Sequence, residues 1–192
     1  MLETKHFQLI PDKVNLTPRL IEEHTKLYEG YIKKTNEIRE KLLSADKAVS
    51  NAVYSDYGEL KRQETFALNG ARLHEIYFSA LEDGADNGNP KGRIFEIITD
   101  RFGSHEKWVE EMTASAMSSR GWTATIYDNY LKEISIINLD AHNLGAIFNS
   151  TLLVVLDMYE HAYFMDYGTN KKAYIENILK NLNWEAIDRN FE

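Results

Sequence analysis

Apolar residues at Leu20, Ile21, Leu27, Tyr28, Tyr31 and Ile38 recur at the three-to-four spacing of a helix with one buried stripe. Thr17 is the expected N-cap and Pro18 the first helical residue, where a missing N–H costs nothing. Gly30 interrupts the stretch at a cost of roughly 1 kcal/mol relative to alanine. Close packing or a local bulge is therefore expected around it. Residues 1–16 show no period and read as irregular, with Pro11 and Asn15 as breakers. A second helical region spans about Val49 to Leu81, with Ser50 or Ser55 as cap and Gly58 and Gly70 as candidate breaks.

Between Glu82 and Gly92, glycine, asparagine, aspartate and proline crowd together with little to bury, the composition of a linker. A boundary there gives a helical-hairpin unit over 1–85 and a second unit over 86–192. Helices are expected at Arg93–Phe102 and Ser104–Ser118. Lys107 stands where a capping-box glutamate would be, although Glu106 suits the positive end of the dipole. The pattern then turns to strands. Trp122–Tyr127 and Leu131–Ile137 flank the turn residues Asp128, Asn129 and Tyr130, which predicts a hairpin. The apolar run Thr151–Leu156 supplies a third strand, and a helix from about Lys171 to Phe191 closes the chain. The expected fold is α+β: a helical hairpin, then a small three-stranded antiparallel sheet flanked by helices.

Composition narrows the function. With 192 residues, 43% hydrophobic and 27% charged, the chain can bury a sizeable core. A net charge of −8 without a basic stripe argues against a nucleic-acid partner. It also means that any anionic substrate needs a local positive field. The absence of cysteine excludes disulfides, thiolate catalysis and cysteine-based metal sites, and is compatible with the cytoplasm. The N-terminus lacks a secretory apolar core, and Leu152–Leu156 is far too short to span a bilayer, so a soluble protein with no membrane partner is expected.

Of the six histidines, His24, His74, His142 and His161 fall in or near apolar patterns, whereas His6 and His105 read as solvated surface residues. Asp157 and His161 leave the third strand four positions apart among aromatics, which presents a carboxylate and an imidazole from one rigid support. The segment Asp157-Met158-Tyr159-Glu160-His161-Ala162-Tyr163-Phe164 resembles the D-x-W-E-H-A-Y-Y signature of the iron/manganese superoxide dismutases. His24 with the aromatics after it, His74 followed by Tyr77 and Phe78, Gly121-Trp122 and Asn183-Trp184 are similar to further motifs of that family.

The resemblance implies one iron or manganese ion per subunit, held by His24, His74, Asp157 and His161. One anionic and three neutral ligands keep the centre positive in both the +2 and +3 states. It further implies that superoxide is the substrate: one ion leaves as oxygen, and a second leaves with two protons as hydrogen peroxide. A homodimer or tetramer in the cytoplasm is implied as well. Tyr31 resembles the family's gateway tyrosine, one residue short of the usual register. Gly70 cannot supply the glutamine that some members place on the second helix, so His142 takes the hydrogen bond to solvent on the metal. Tyr28, Trp122, Val155 and Tyr159 would line the ligands. Glu160 and Phe164 would lie at a dimer interface, and Asn170, beside Lys171, replaces a basic residue that guides superoxide. A metal-free structural or interaction protein that kept the fold is the alternative reading. A ferritin-like bundle ranks lower, because neither His24 nor His74 has a glutamate three positions before it.

Overall fold

The computed structural model describes residues 1–83 and 91–191, so the expected boundary at 85/86 lies outside the described residues. Helices α1 (Pro11–Val14), α2 (Pro18–Ser44) and α3 (Asp56–Ser79) come first. The short α1 corrects the expectation that 1–16 is wholly irregular: Pro11 starts it and Asn15, at φ 52°, ends it. Thr17 caps α2 by accepting the Leu20 N–H, and Leu20, His24, Tyr28, Ile32, Thr35 and Ile38 form the buried stripe. Ser55, not Ser50, caps α3, which runs unbroken through Gly58 and Gly70.

No bulge marks Gly30. The helix is regular there, and a Cβ on this exposed glycine would have no neighbour within 4 Å. The penalty of Gly30 is therefore uncompensated within the chain. Gly30→Ala is expected to raise stability by about 0.5–1 kcal/mol, read as a higher urea midpoint at unchanged m-value. An unchanged or lower midpoint would contradict this.

After the linker come α4 (Arg93–Phe102) and α5 (His105–Ser118). Strands β1 (Trp122–Asp128), β2 (Glu133–Leu139) and β3 (Ser150–Asp157) form an antiparallel sheet in the order β2-β1-β3. The expected hairpin is β1–β2, and its turn is held by Asp128, whose carboxylate accepts the Tyr130 and Leu131 N–H groups. The register sets Trp122 of central β1 opposite Asp157 of β3 and Leu139 of β2. Trp122, Ala124, Ile126, Val154, Val155 and Leu156 are fully buried. Beyond β3 lie a one-turn 3₁₀ helix (Glu160–Ala162), α6 (Phe164–Tyr167), α7 (Lys171–Lys180) and α8 (Trp184–Phe191).

Two expectations need correction here. The closing helix is split, because Asn183 stops it: its N–H donates to the Ala80 carbonyl, its Nδ2 to the Glu82 carbonyl, and its Oδ1 caps the Ala186 N–H. His105 is not a solvated surface residue. It packs among Phe95, Trp108 and Trp184 at centroid distances of 5.2, 5.4 and 5.9 Å, with a buried Nε2 that has no hydrogen-bond partner among the described residues.

Candidate metal centre

Four elements converge on one point. α2 brings His24, α3 brings His74, the last residue of β3 is Asp157, and the 3₁₀ turn carries His161. One ligand atom from each lies within 4.8 Å of the others. Asp157 Oδ2 is the hub, with His161 Nε2 at 3.0 Å, His24 Nε2 at 3.2 Å and His74 Nε2 at 3.5 Å. Its other oxygen, Oδ1, accepts the Tyr159 N–H at 3.0 Å, which fixes the carboxylate. The backbone carbonyl of Asp157 accepts from Tyr174, whose hydroxyl also meets that of Tyr77.

The hydrogen bonding of His74 leaves a nitrogen that could hold a cation. Its Nδ1 lies 2.6 Å from the Gly70 carbonyl, which can only accept, so the ring proton is on Nδ1. Nε2 is then a bare lone pair, buried and without a hydrogen-bond partner among the described residues. Although it stands within ion-pair distance of Asp157 Oδ2, that contact sets one electron pair against another. A cation between them removes the conflict, and three imidazoles with one carboxylate suit iron or manganese.

Charge in the cluster is polarised by burial. Desolvation lowers the pKa of His24, and that of His74 to about 3, keeping both rings neutral at pH 7. Burial alone would raise the Asp157 carboxyl, but hydrogen bonds to His161 and His24 outweigh it and hold the group below the usual carboxylate range. The sign for stability follows from linkage. Below pH 6.5 the unfolded chain protonates imidazoles that the fold keeps neutral, so stability falls as pH drops from about 6.5 toward 3. His74 alone gives a slope approaching 1.4 kcal/mol per pH unit. Urea titrations of metal-free protein at pH 7.5, 6 and 5 should show a falling midpoint, and a flat one would refute this. Metal retention should weaken over the same range, because protons compete for the same nitrogens.

A second network closes one side of the cluster. Trp122 Nε1 donates to His142 Nδ1 at 2.9 Å, and His142 Nε2 lies 2.8 Å from the Tyr31 hydroxyl. An indole N–H only donates, so His142 Nδ1 must accept and the proton of the neutral ring is on Nε2. Burial supports the neutral form by lowering the His142 pKa to about 4. Nε2–H therefore donates to the Tyr31 oxygen and leaves the phenol's own proton free. Both rings of this pair rest on Gly70, where a Cβ would come within 3.0 Å of the Tyr31 ring and 3.2 Å of His142. Phe66, one turn before Gly70, packs on His142 with centroids 4.5 Å apart. The Phe66–Gly70–His74 spacing is visible in the sequence but was not among the expectations.

Tyr28 is fully buried, and its hydroxyl accepts the Lys5 N–H and donates to Glu75. Glu75, also missed, further holds Lys5 and Arg72. Its only sequence signal is an acidic residue on a buried face. Val155 is buried in the sheet. Tyr159 stacks on His161 with centroids 5.5 Å apart and 15° between planes. Glu160 and Phe164 are exposed. Asn170 caps α7 through the Ala173 N–H, and Lys171 Nζ donates to the Ser119 carbonyl.

The family model described as iron/manganese superoxide dismutases, C-terminal domain, matches residues 90–190. The chain belongs to the iron/manganese superoxide dismutase family. It is 39% identical over 168 residues to superoxide dismutase (Fe) of Aquifex pyrophilus, covering 86% of this chain and 78% of the relative. Identity to superoxide dismutase (Fe) of Cupriavidus metallidurans is 34% over 200 residues, covering 100% and 96%. Superoxide dismutase (Mn/Fe) of Aeropyrum pernix is 28% identical over 203 residues, covering 100% and 94%. As a member of the superoxide dismutase family, the chain pairs a helical hairpin with an antiparallel sheet, and the His/Asp cluster lies between them.

Proposed function

We propose that the protein dismutes superoxide at one iron or manganese ion per subunit, held by His24, His74, Asp157 and His161. The observation that carries this is the bare, buried Nε2 of His74 facing a carboxylate shared by two other imidazoles. When bound, the ion supplies the one-electron oxidant and reductant that turn two superoxide ions and two protons into dioxygen and hydrogen peroxide.

The chain's residues set charge and protons. Asp157 contributes the one negative charge, so the centre stays cationic and draws a small anion despite the net charge of −8. Tyr31, like any phenol, is protonated at neutral pH, and burial, with smaller effects of Tyr159 and Asp157, pushes its pKa further up to about 12. With His142 donating to its oxygen, the Tyr31 O–H keeps its own proton free for another acceptor. With both nitrogens engaged, by Trp122 and Tyr31, His142 acts through Tyr31 rather than by the expected hydrogen bond to solvent on the metal. Trp122, fixed by its own hydrogen bond, excludes water from the His74 side at a centroid distance of 5.0 Å.

A homodimer, or a dimer of dimers, is part of the proposal. Glu160 makes no ion pair among the described residues, and Phe164 is 51% exposed beside the half-open His161, which suits a face covered by a second copy. Sedimentation equilibrium giving only monomer at micromolar concentration would contradict it. No helix among the described residues is long and apolar enough to cross a membrane. A reducing compartment such as the cytoplasm fits a chain without cysteine, and subcellular fractionation tests that placement. The metal is tested by stripping the protein, reloading it separately with iron and manganese, and measuring metal content and dismutation. Failure of both forms at one ion per chain would sink the reading.

A further inference from the structure

Tyr159 lines the metal centre with a polar group that no other described residue uses. Its ring stacks on His161, as above, and tilts against His142 at a centroid distance of 5.2 Å. Its backbone N–H serves Asp157, but its hydroxyl has no hydrogen-bond partner among the described residues. The residue is half-buried, next to the ligand histidine with the most open side chain, His161 at 29% against 1% for His24 and 0% for His74. Tyr31 and Tyr159 both pack on His142, with ring centroids 4.8 and 5.2 Å from it. The signature this chain resembles carries tryptophan here, which offers an indole N–H in a different place and no hydroxyl.

A half-buried hydroxyl costs free energy unless it has a partner when water is displaced. Tyr159 meets His161 and His142 through its ring, stacked on the first and tilted at 51° to the second, so its hydroxyl is engaged by neither and stays free beside the most open ligand. We infer that the Tyr159 hydroxyl donates a hydrogen bond to the small anion that approaches the metal, as a second phenolic donor beside Tyr31. This residue would then hold superoxide at the mouth, and its role rests on the dismutase reading above. A neutral donor selects an anion by hydrogen bonding and adds no charge, so its effect should persist at high salt.

The test uses azide as the probe on iron-loaded protein, titrated by its optical change, for wild type, Tyr159→Phe and Tyr159→Trp. Tyr159→Phe keeps the ring stack and removes one oxygen. Azide affinity is expected to fall about 3- to 10-fold, the size of one hydrogen bond, with metal content and melting temperature unchanged and the same ratio at 0.5 M salt. Tyr159→Trp should weaken azide as well, and it serves as the comparison if the phenylalanine variant loses iron. Affinity within 1.5-fold of wild type in the variant that holds its full iron complement overturns the inference. That outcome leaves the dismutase reading standing. Conversely, wild-type protein that binds azide through Tyr159 yet does not accelerate superoxide decay overturns the dismutase reading alone.

Discussion

Asp157→Asn is expected to leave a folded chain that no longer retains its metal. The amide has the shape of the carboxylate, and its oxygen can still accept the Tyr159 N–H that now reaches Oδ1. What is lost is the only negative charge in the cluster and the lone pairs of Oδ2 toward three imidazoles at 3.0, 3.2 and 3.5 Å. Loss of an outer hydrogen-bond partner alone typically costs about 10–100-fold in metal affinity, and loss of the charged ligand should exceed that. Without metal, the variant forgoes hydrogen bonds between a charged acceptor and His24 and His161, so its melting temperature should fall by a few degrees. Elemental analysis after dialysis against a weak chelator checks the claim, with far-UV circular dichroism as the control for folding. A full complement of metal in the variant would show that the four side chains do not act as a ligand set.

The second large effect is expected at Gly70. Replacing it with glutamine would put a Cβ 3.0 Å from two atoms of the Tyr31 ring and 3.2 Å from His142. Neither ring can yield easily. Tyr31 is held by His142 at 2.8 Å and packs against His74 and Phe66, while His142 is pinned on its far side by Trp122. Overpacking of this kind costs about 1–3 kcal/mol, more than the roughly 0.5–1 kcal/mol gained by removing a glycine from a helix interior. The displaced pair should also lose its bond, and with it the orientation of the Tyr31 proton. Positioned proton donors contribute about 10²–10⁴-fold, so kcat of the metal-loaded variant should fall by at least about tenfold. Wild-type turnover in Gly70→Gln would mean that the Tyr31–His142 bond has no part in proton delivery.

The ligands were legible because each sits on a strong local signal. His24 and His74 fall on helical faces marked by apolar neighbours at the right period, and Asp157 ends an apolar strand. Tyr31 is one residue short of the family's usual register, and no bulge at Gly30 offsets this. Helical geometry makes the bulge unnecessary: seven residues is nearly two turns, so Tyr31 lies about 20° from His24 around the axis, closer than an eighth residue would. The sequence predicts a continuous closing helix because Ile175, Ile178, Leu179, Leu182 and Ile187 keep an apolar face across the break. What divides it is Asn183, bonded to carbonyls about 100 residues earlier, although its capping of Ala186 is a local signal that could have been read. The burial of His105 had no such signal. Phe95 and Trp184 come from other helices, and only the assembled packing of α4, α5 and α8 encloses the ring. Tyr174, which holds the Asp157 carbonyl from α7, is hidden in the same way.

The central claim is that these four side chains hold a redox metal at which superoxide is consumed. Stopped-flow decay of superoxide, with wild type and Asp157→Asn compared at equal protein concentration after loading with iron or manganese, tests it most directly. Acceleration in proportion to bound metal in wild type, and none above the free-metal background in the variant, is the predicted result. Fully loaded wild type that leaves the decay unchanged, or an Asp157→Asn protein that matches wild type, would contradict the account.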